Sequence, residues 1–171
     1  MTTDVALRRV APRPTAVVSQ TTTWKQFPGV WKPLLDEVYG FVRARPELAP
    51  DEGPEVWRNA FLYLDDKPTV EIGVLVSGPF EPHGRVVPSQ LPGGEVATAV
   101  HCGDYAELGR THDTVGGFIA AHGLVRAGPS WEIYGHWRED PSELETEIYY
   151  LVHEVERPRS HFVNAPGRRR A

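Results

Sequence analysis

The sequence predicts an α+β fold made of two β-α-β-β halves related by a pseudo-twofold, with antiparallel sheet, two helices on one face and a central cleft. Three observations predict it. The apolar pattern runs strand, helix, strand, strand on each side of a Pro/Gly-rich stretch from Gly78 to Gly94. The closing strands of the two runs can be laid over one another. Asn59 to Leu64 matches Ser130 to Gly135, and Val70-Glu71-Ile72 matches Thr146-Glu147-Ile148, bringing Tyr63 onto Tyr134 and Glu71 onto Glu147. Finally, 171 residues with a hydrophobic fraction of 40% suffice for a sizeable core.

In the first half, Arg13 to Ser19 reads as a strand through the β-branched alternation at Thr15 and Val17, with Val5 to Val10 as a lead-in. Val30 to Ala44 carries Trp31, Leu34, Leu35, Val38, Phe41 and Val42 at helical spacing. Pro33 fits its first turn, where a missing N–H costs little, and Pro46 ends it. Asn59 to Leu64 and Val70 to Val76 are strand-like, joined through Asp65-Asp66-Lys67-Pro68 as a hairpin loop. The stretch after them holds Pro79, Pro82, Pro88 and Pro92, too many for a strand interior, and reads as a linker over 80–92.

The second half repeats this order. Glu95 to His101 alternates as a strand, and Asp104 with Glu107 three residues on predicts a capping box. Leu108, His112, Val115, Phe118, Ile119 and His122 share one helix face, which Gly123 can end in a left-handed cap. Trp131 to Trp137 and Thr146 to Val152 close the half around a turn at Glu139-Asp140-Pro141-Ser142. A residue range of 1–155 is therefore expected to form one domain (first half about 5–79, second half 93–155), with 156–171 as a flexible tail ending in Arg168-Arg169-Arg170.

Alternate strand residues face opposite sides. Ile148, Tyr150 and Val152 are expected under the helices with Ile133, and Leu62, Leu64, Ile72, Val74 and Val76 likewise. That leaves Glu132, Tyr134, His136, Glu147 and Tyr149, with Phe61, Tyr63 and Glu71, on the other face as one aromatic wall carrying carboxylates. Such a wall offers broad apolar surface to an aromatic molecule and attraction to a cation. Half-exposed sheets also alternate aromatic and polar residues, so the pattern by itself fits a solvent-facing sheet too.

Composition excludes several classes. A net charge of −5 opposes a nucleic-acid groove, and no run approaches the ~20 apolar residues of a membrane span. The N-terminus lacks the plan of a secretory signal, and the single cysteine, Cys102, allows no internal disulfide. A cytoplasmic protein is expected, with Cys102 as a small buried strand residue. The seven histidines show no metal-ligand spacing, so neither a metal nor a cofactor is expected.

The run Leu91-Pro92-Gly93-Gly94-Glu95-Val96-Ala97, followed by His101-Cys102-Gly103-Asp104-Tyr105-Ala106-Glu107-Leu108, resembles the GyrI-like small-molecule-binding domains. So do Trp131-Glu132-Ile133-Tyr134 and Glu145-Thr146-Glu147-Ile148-Tyr149. The resemblance is clear over about Gly84 to Val152 and diffuse before it. It implies a duplicated β-α-β-β fold with a central ligand cleft, as in the effector-binding domains of multidrug regulators. It further implies that Glu147, at the position of a cleft-facing glutamate, contacts an aromatic or cationic organic molecule, with Tyr134 and Tyr149 beside it. No helix-turn-helix precedes the domain here, so direct DNA binding is not expected.

The leading functional reading is a stand-alone module that sequesters or senses amphipathic aromatic or cationic compounds. A second reading also comes from the resemblance: some members hydrolyse cyclopropane-containing genotoxic natural products, for which Glu147 would activate water and Tyr134 or Tyr149 would orient the substrate. A third is modulation of gyrase through a protein surface, which no residue of the chain specifically supports.

Overall fold

The computed structural model describes residues 3–50 and 57–155, and the expected tail at 156–171 lies outside the described residues. In chain order the elements are β1 (Ala6–Val10), β2 (Arg13–Thr21), α1 (Phe27–Val42), β3 (Asn59–Tyr63), β4 (Thr69–Leu75), β5 (Val87–Leu91), β6 (Gly94–Cys102), α2 (Leu108–Ala121), β7 (Leu124–Tyr134) and β8 (Glu145–Glu154). Short 3-10 turns occupy Pro46–Leu48, Tyr105–Glu107 and Pro141–Glu143.

All eight strands join one antiparallel sheet in the order β1-β6-β8-β7-β3-β4-β2-β5. Exchanging the halves reverses this order and leaves it unchanged, which is the signature of the pseudo-twofold. The axis runs through the central pair, where Phe61 stands opposite Glu132 and Leu62 opposite Trp131.

The expected linker is more structured than its prolines suggested, because residues 87–91 form β5. Pro88 is tolerated there because β5 pairs only with β2, so its missing N–H breaks no second ladder. With β5 counted, each half opens with a strand that pairs in the other half. β1 adds to β6, and β5 adds to β2.

Since β1 runs on into β2 and β5 into β6, the ends of the sheet order are covalently joined. The register also continues through the joint, from Val10 opposite Gly94 to Arg13 opposite Leu91. The two connecting segments touch there: a Cβ on Gly93 would lie 2.5 Å from Cδ of Pro12. The sheet therefore curls back on itself. Its inner face holds a dry cluster drawn from both ends and the middle: Val10, Ala60, Leu62, Leu91, Val96, Trp131 and Ile133.

Both helices pack on the outer face. Under α1, Leu34, Leu35, Val38 and Val42 meet Ala16, Val18, Ile72 and Val74. Under α2, Val115 and Ile119 meet Ala97, Ala99, Ile148 and Val152. Full burial of each such Val, Leu or Ile contributes about 1.5–3 kcal/mol, which holds the helices down despite modest intrinsic propensity.

Local expectations fare unevenly. α1 starts at Phe27 with Pro28 in its first turn, so Pro33 lies inside the helix, contrary to expectation. Pro33 is exposed, and the carbonyl it leaves unbonded is open to water on that side. Asp104 caps the 3-10 turn by accepting from the Ala106 N–H, but Glu107 pairs with Arg110 instead of closing a capping box. Gly123 ends α2 with φ of 65°, as its position predicts. Cys102 is exposed at the end of β6, which corrects the expectation of burial.

The joint supplies a test of the curled sheet. Gly93→Val should lower stability by about 1–3 kcal/mol through overpacking against Pro12, read as a lower urea midpoint at unchanged slope. An unaltered midpoint would show that the two connections do not bear on each other.

Candidate functional site

The strand registers divide the residues expected on one wall between two faces. Phe61 is opposite both Ile72 and Glu132, and Glu132 is opposite Ile148. Phe61, Tyr63, Glu132 and Tyr134 therefore share the outer, helix-covered face with Ile148 and Tyr150. Glu71 is opposite Leu62, and Glu147 opposite Ile133, so Glu71, Glu147 and Tyr149 share the inner face with Leu62, Trp131 and Ile133. The assignments for Phe61, Tyr63, Glu132 and Tyr134 are corrected, as are those for Leu62 and Ile133. The cause is that paired strand residues point the same way, and register across a hairpin is not legible in either strand alone.

On the outer face a cavity of about 530 Å³ opens between α1 and the turn that precedes α2. Phe27, Trp31 and Tyr39 of α1 form one side, and Tyr105 comes from the turn before α2. Asn59 and Phe61 of β3 and Tyr134 of β7 form the floor, with Trp57 at the entry to β3. Gly135, His136 and Trp137, in the loop after β7, complete the rim. The rings support one another: Tyr105 meets Tyr134 edge to face at 5.6 Å between centroids, while Phe61 meets Tyr134 at 5.0 Å and Trp31 meets Phe61 at 5.8 Å with tilted planes. Tyr39 is fixed by donating to Asn59 Oδ1 at 2.5 Å. Trp137, in contrast, is 74% exposed while it lines the rim.

Behind the floor lies a buried carboxylate. Glu132 is 4% exposed and accepts from the hydroxyls of Tyr63 (2.6 Å) and Tyr134 (3.2 Å) on Oε1. His112 Nε2, from α2, lies 2.9 Å from Oε2, and His112 Nδ1 lies 2.6 Å from the Tyr150 hydroxyl. Burial and the charge of Glu132 raise the Tyr63 and Tyr134 hydroxyls far above the ordinary tyrosine range, so both are donors at neutral pH. With His112 neutral, one arrangement satisfies every group: Tyr150 donates to Nδ1 and Nε2–H donates to Glu132. A carboxylate has about four acceptor sites, and three donors fill three of them. This network places a fixed negative charge one ring's breadth behind an aromatic floor.

Glu147 is engaged elsewhere. It accepts from Arg58 at 2.5 Å on Oε2 and from the Tyr149 hydroxyl at 2.6 Å on Oε1. Arg58 also donates to the Tyr134 carbonyl, at 3.1 Å. Glu147 and Arg58 line a separate polar depression of about 620 Å³ with Arg138, Glu143 and Glu145; His136 and Gly135 border both spaces. Burial, together with donation to Glu147, pushes Tyr149 up to about 12. Glu71 on β4 accepts from Ser89 on β5, reaching across β2. Among the described residues no group of three or more His, Cys, Asp and Glu could hold a metal, and no helix is long and apolar enough to cross a membrane.

The sequence reading missed Trp31, Trp57, Tyr105 and Trp137 as cavity residues, and His112 as a partner of Glu132. A signal for His112 was present: a histidine on the apolar face of a helix needs a buried partner for its ring nitrogens.

A model of the family described as GyrI-like small molecule binding domain matches residues 3–153. No curated protein matches the chain in sequence. Among solved structures, the C-terminal domain of EcmrR superposes with a TM-score of 0.73 at 20% identity, covering 91% of this chain and 100% of that one. SAV2435, solved bound to tetraphenylphosphonium, gives 0.64 at 15% identity, with coverage of 92% and 99%. A hydrolase from Listeria innocua gives 0.56 at 14% identity, with coverage of 87% and 91%. At these identities the likeness establishes the fold.

The buried hydroxyls predict an alkaline limit to stability. A tyrosine held above its ordinary value of about 10 stabilises the fold fully below that pH. The contribution is lost as pH rises through the folded value, which for Tyr149 is about 12. Urea midpoints should therefore fall between about pH 10 and about pH 12, and Tyr149→Phe should reduce that slope. An unchanged slope in the variant would contradict the Glu147–Tyr149 contact.

Proposed function

We propose, from the premise that this chain belongs to the GyrI-like small molecule binding domain family, that its ligand enters the aromatic cavity over β3 and β7. The chemistry fits an amphipathic aromatic compound carrying positive charge. The observation that carries this reading is the buried, hydrogen-bonded Glu132 behind rings that form the cavity floor.

A cavity of about 530 Å³ is in the range of drug-sized ligand sites, which combine apolar walls with a few placed polar groups. Indole and phenol rings attract a delocalised cation through their faces. Glu132 adds a full charge in surroundings where water screens it weakly. Phe61, Tyr134 and His136 are proposed as direct contacts, and Tyr63 as a group that fixes Glu132. Glu147 is assigned no ligand contact, since its charge is already met by Arg58. Glu71 and Tyr149 face the inner side of the sheet and are likewise left out.

The test uses the tryptophans of the cavity as reporters. Tetraphenylphosphonium titrated into the protein should quench Trp fluorescence saturably, and Glu132→Gln should weaken its affinity roughly tenfold or more. Glu147→Gln should weaken it far less. Equal affinities for wild type and Glu132→Gln would remove Glu132 from the reading; a loss confined to Glu147→Gln would move the site to the polar depression.

A further inference from the structure

Besides its two tyrosine donors, the carboxylate is held from behind by an imidazole, a donor whose charge can change. His112 contributes nothing to the cavity lining, yet its Nε2 lies 2.9 Å from Glu132 Oε2. Its other nitrogen meets the Tyr150 hydroxyl at 2.6 Å. Tyr150 in turn lines an outer depression with Asp65, Asp66 and Arg126, on the far side of the network from the aromatic cavity. The chain of groups thus runs from cavity floor to solvent: Tyr134, Glu132, His112, Tyr150.

From this arrangement we infer that His112 is the specificity-determining residue of the site, setting whether Glu132 presents net negative charge to a ligand. The inference rests on the cavity reading and goes beyond it by naming the group that governs charge preference. Neutral His112 donates one hydrogen bond to Glu132 and leaves the carboxylate charge uncompensated. Protonated His112 forms an ion pair with Glu132, and the pair presents no net charge to the cavity. Cation binding and proton binding at His112 then compete. By linkage each weakens the other by the same factor. Neutral aromatic ligands are indifferent to the state of His112, so the ratio of cationic to neutral affinity carries the effect.

The surroundings of His112 allow this. The groups facing it or its partners are Glu132, Tyr134 and Arg126 from β7, Tyr150 from β8, Tyr63 from β3 and Asp113, its neighbour on α2. Burial holds Tyr63, Tyr134 and Tyr150 in their neutral forms well into the alkaline range. Arg126 stacks over the Tyr150 ring at 4.7 Å and keeps its charge throughout. Of the side-chain types gathered here, histidine is the one that serves as a charge switch between about pH 5 and pH 8.

The experiment measures dissociation constants for rhodamine 6G, a permanent aromatic cation, and Nile red, a neutral aromatic dye, from about pH 5 to pH 8. For the wild type, the affinity for rhodamine 6G relative to Nile red should rise roughly tenfold or more across this range. In His112→Gln, which keeps a neutral donor and cannot be charged, that ratio should be flat. A flat ratio in the wild type, or an equal rise in His112→Gln, overturns the inference. Failure of both dyes to bind at every pH overturns the cavity reading itself and the inference with it. A measurement on the wild type alone guards against a variant that misfolds. The His112 ring signals, followed by NMR against pH, should titrate at lower pH with saturating rhodamine 6G, and an unmoved midpoint counts against the inference.

Discussion

Everything about the site depends on the antiparallel pairing of β3 with β7. Only four residue pairs make this junction, Ala60 to Tyr63 against Ile133 to Ser130, yet it is where the halves of the sheet meet in the middle. The pairing sets Phe61 beside Glu132 on the helix-covered side and buries Leu62 against Trp131 on the other. A shift of one residue would turn Glu132 inward among Ala60, Leu62 and Val96, where no donor waits for it. The dry inner cluster and the buried carboxylate thus enforce the same register from opposite sides.

The carboxylate is costly to bury and is retained in a specific way. Tyrosines from β3 and β7 and a histidine from α2 all aim donors at it, so three separate elements share the work of solvating one charge. A bare charge in the cavity would be hydrated and screened; one held behind Tyr134 is neither. In the proposed site the aromatic floor has two tasks, offering its face to a ligand and keeping water from the charge beneath. Arg58 and Glu147 show the contrasting solution, in which a half-buried acid is neutralised by a partner of opposite charge.

Much of this was legible in the sequence. The repeated order of elements, the two helices with their buried stripes, the match of Tyr63 with Tyr134 and of Glu71 with Glu147, and the family resemblance all describe the molecule correctly at the level of plan. The face assignment was not. Alternation shows which residues of one strand go together, but whether Ile133 joins Ile148 or Glu147 depends on a hairpin register set by a loop and an irregularity between Arg126 and Ser130. The emphasis on Glu147 came from the family resemblance, with Glu132 expected on the same wall. Long-range partners were also hidden: His112 and Glu132 stand 20 residues apart, and the apolar helix face around His112 calls for a buried partner without saying which. β5 escaped notice because Pro88 and the prolines around it argue against a strand, an argument that holds for central strands and lapses at an edge.

The exchange of β1 and β5 between the halves has a consequence for assembly. Cut between β4 and β5, each half would lose the strand that flanks β2 or β6 and would keep a strand with nothing to pair against. Neither half is then a self-sufficient folding unit, and two copies of one half would satisfy each other by trading their first strands. In this sense the chain has the geometry of a strand-swapped dimer whose subunits have been fused. Its folding must wait for contacts between segments some eighty residues apart, such as Val10 with Gly94, before either sheet edge is closed. Cooperativity between the halves is therefore built into the order of the chain.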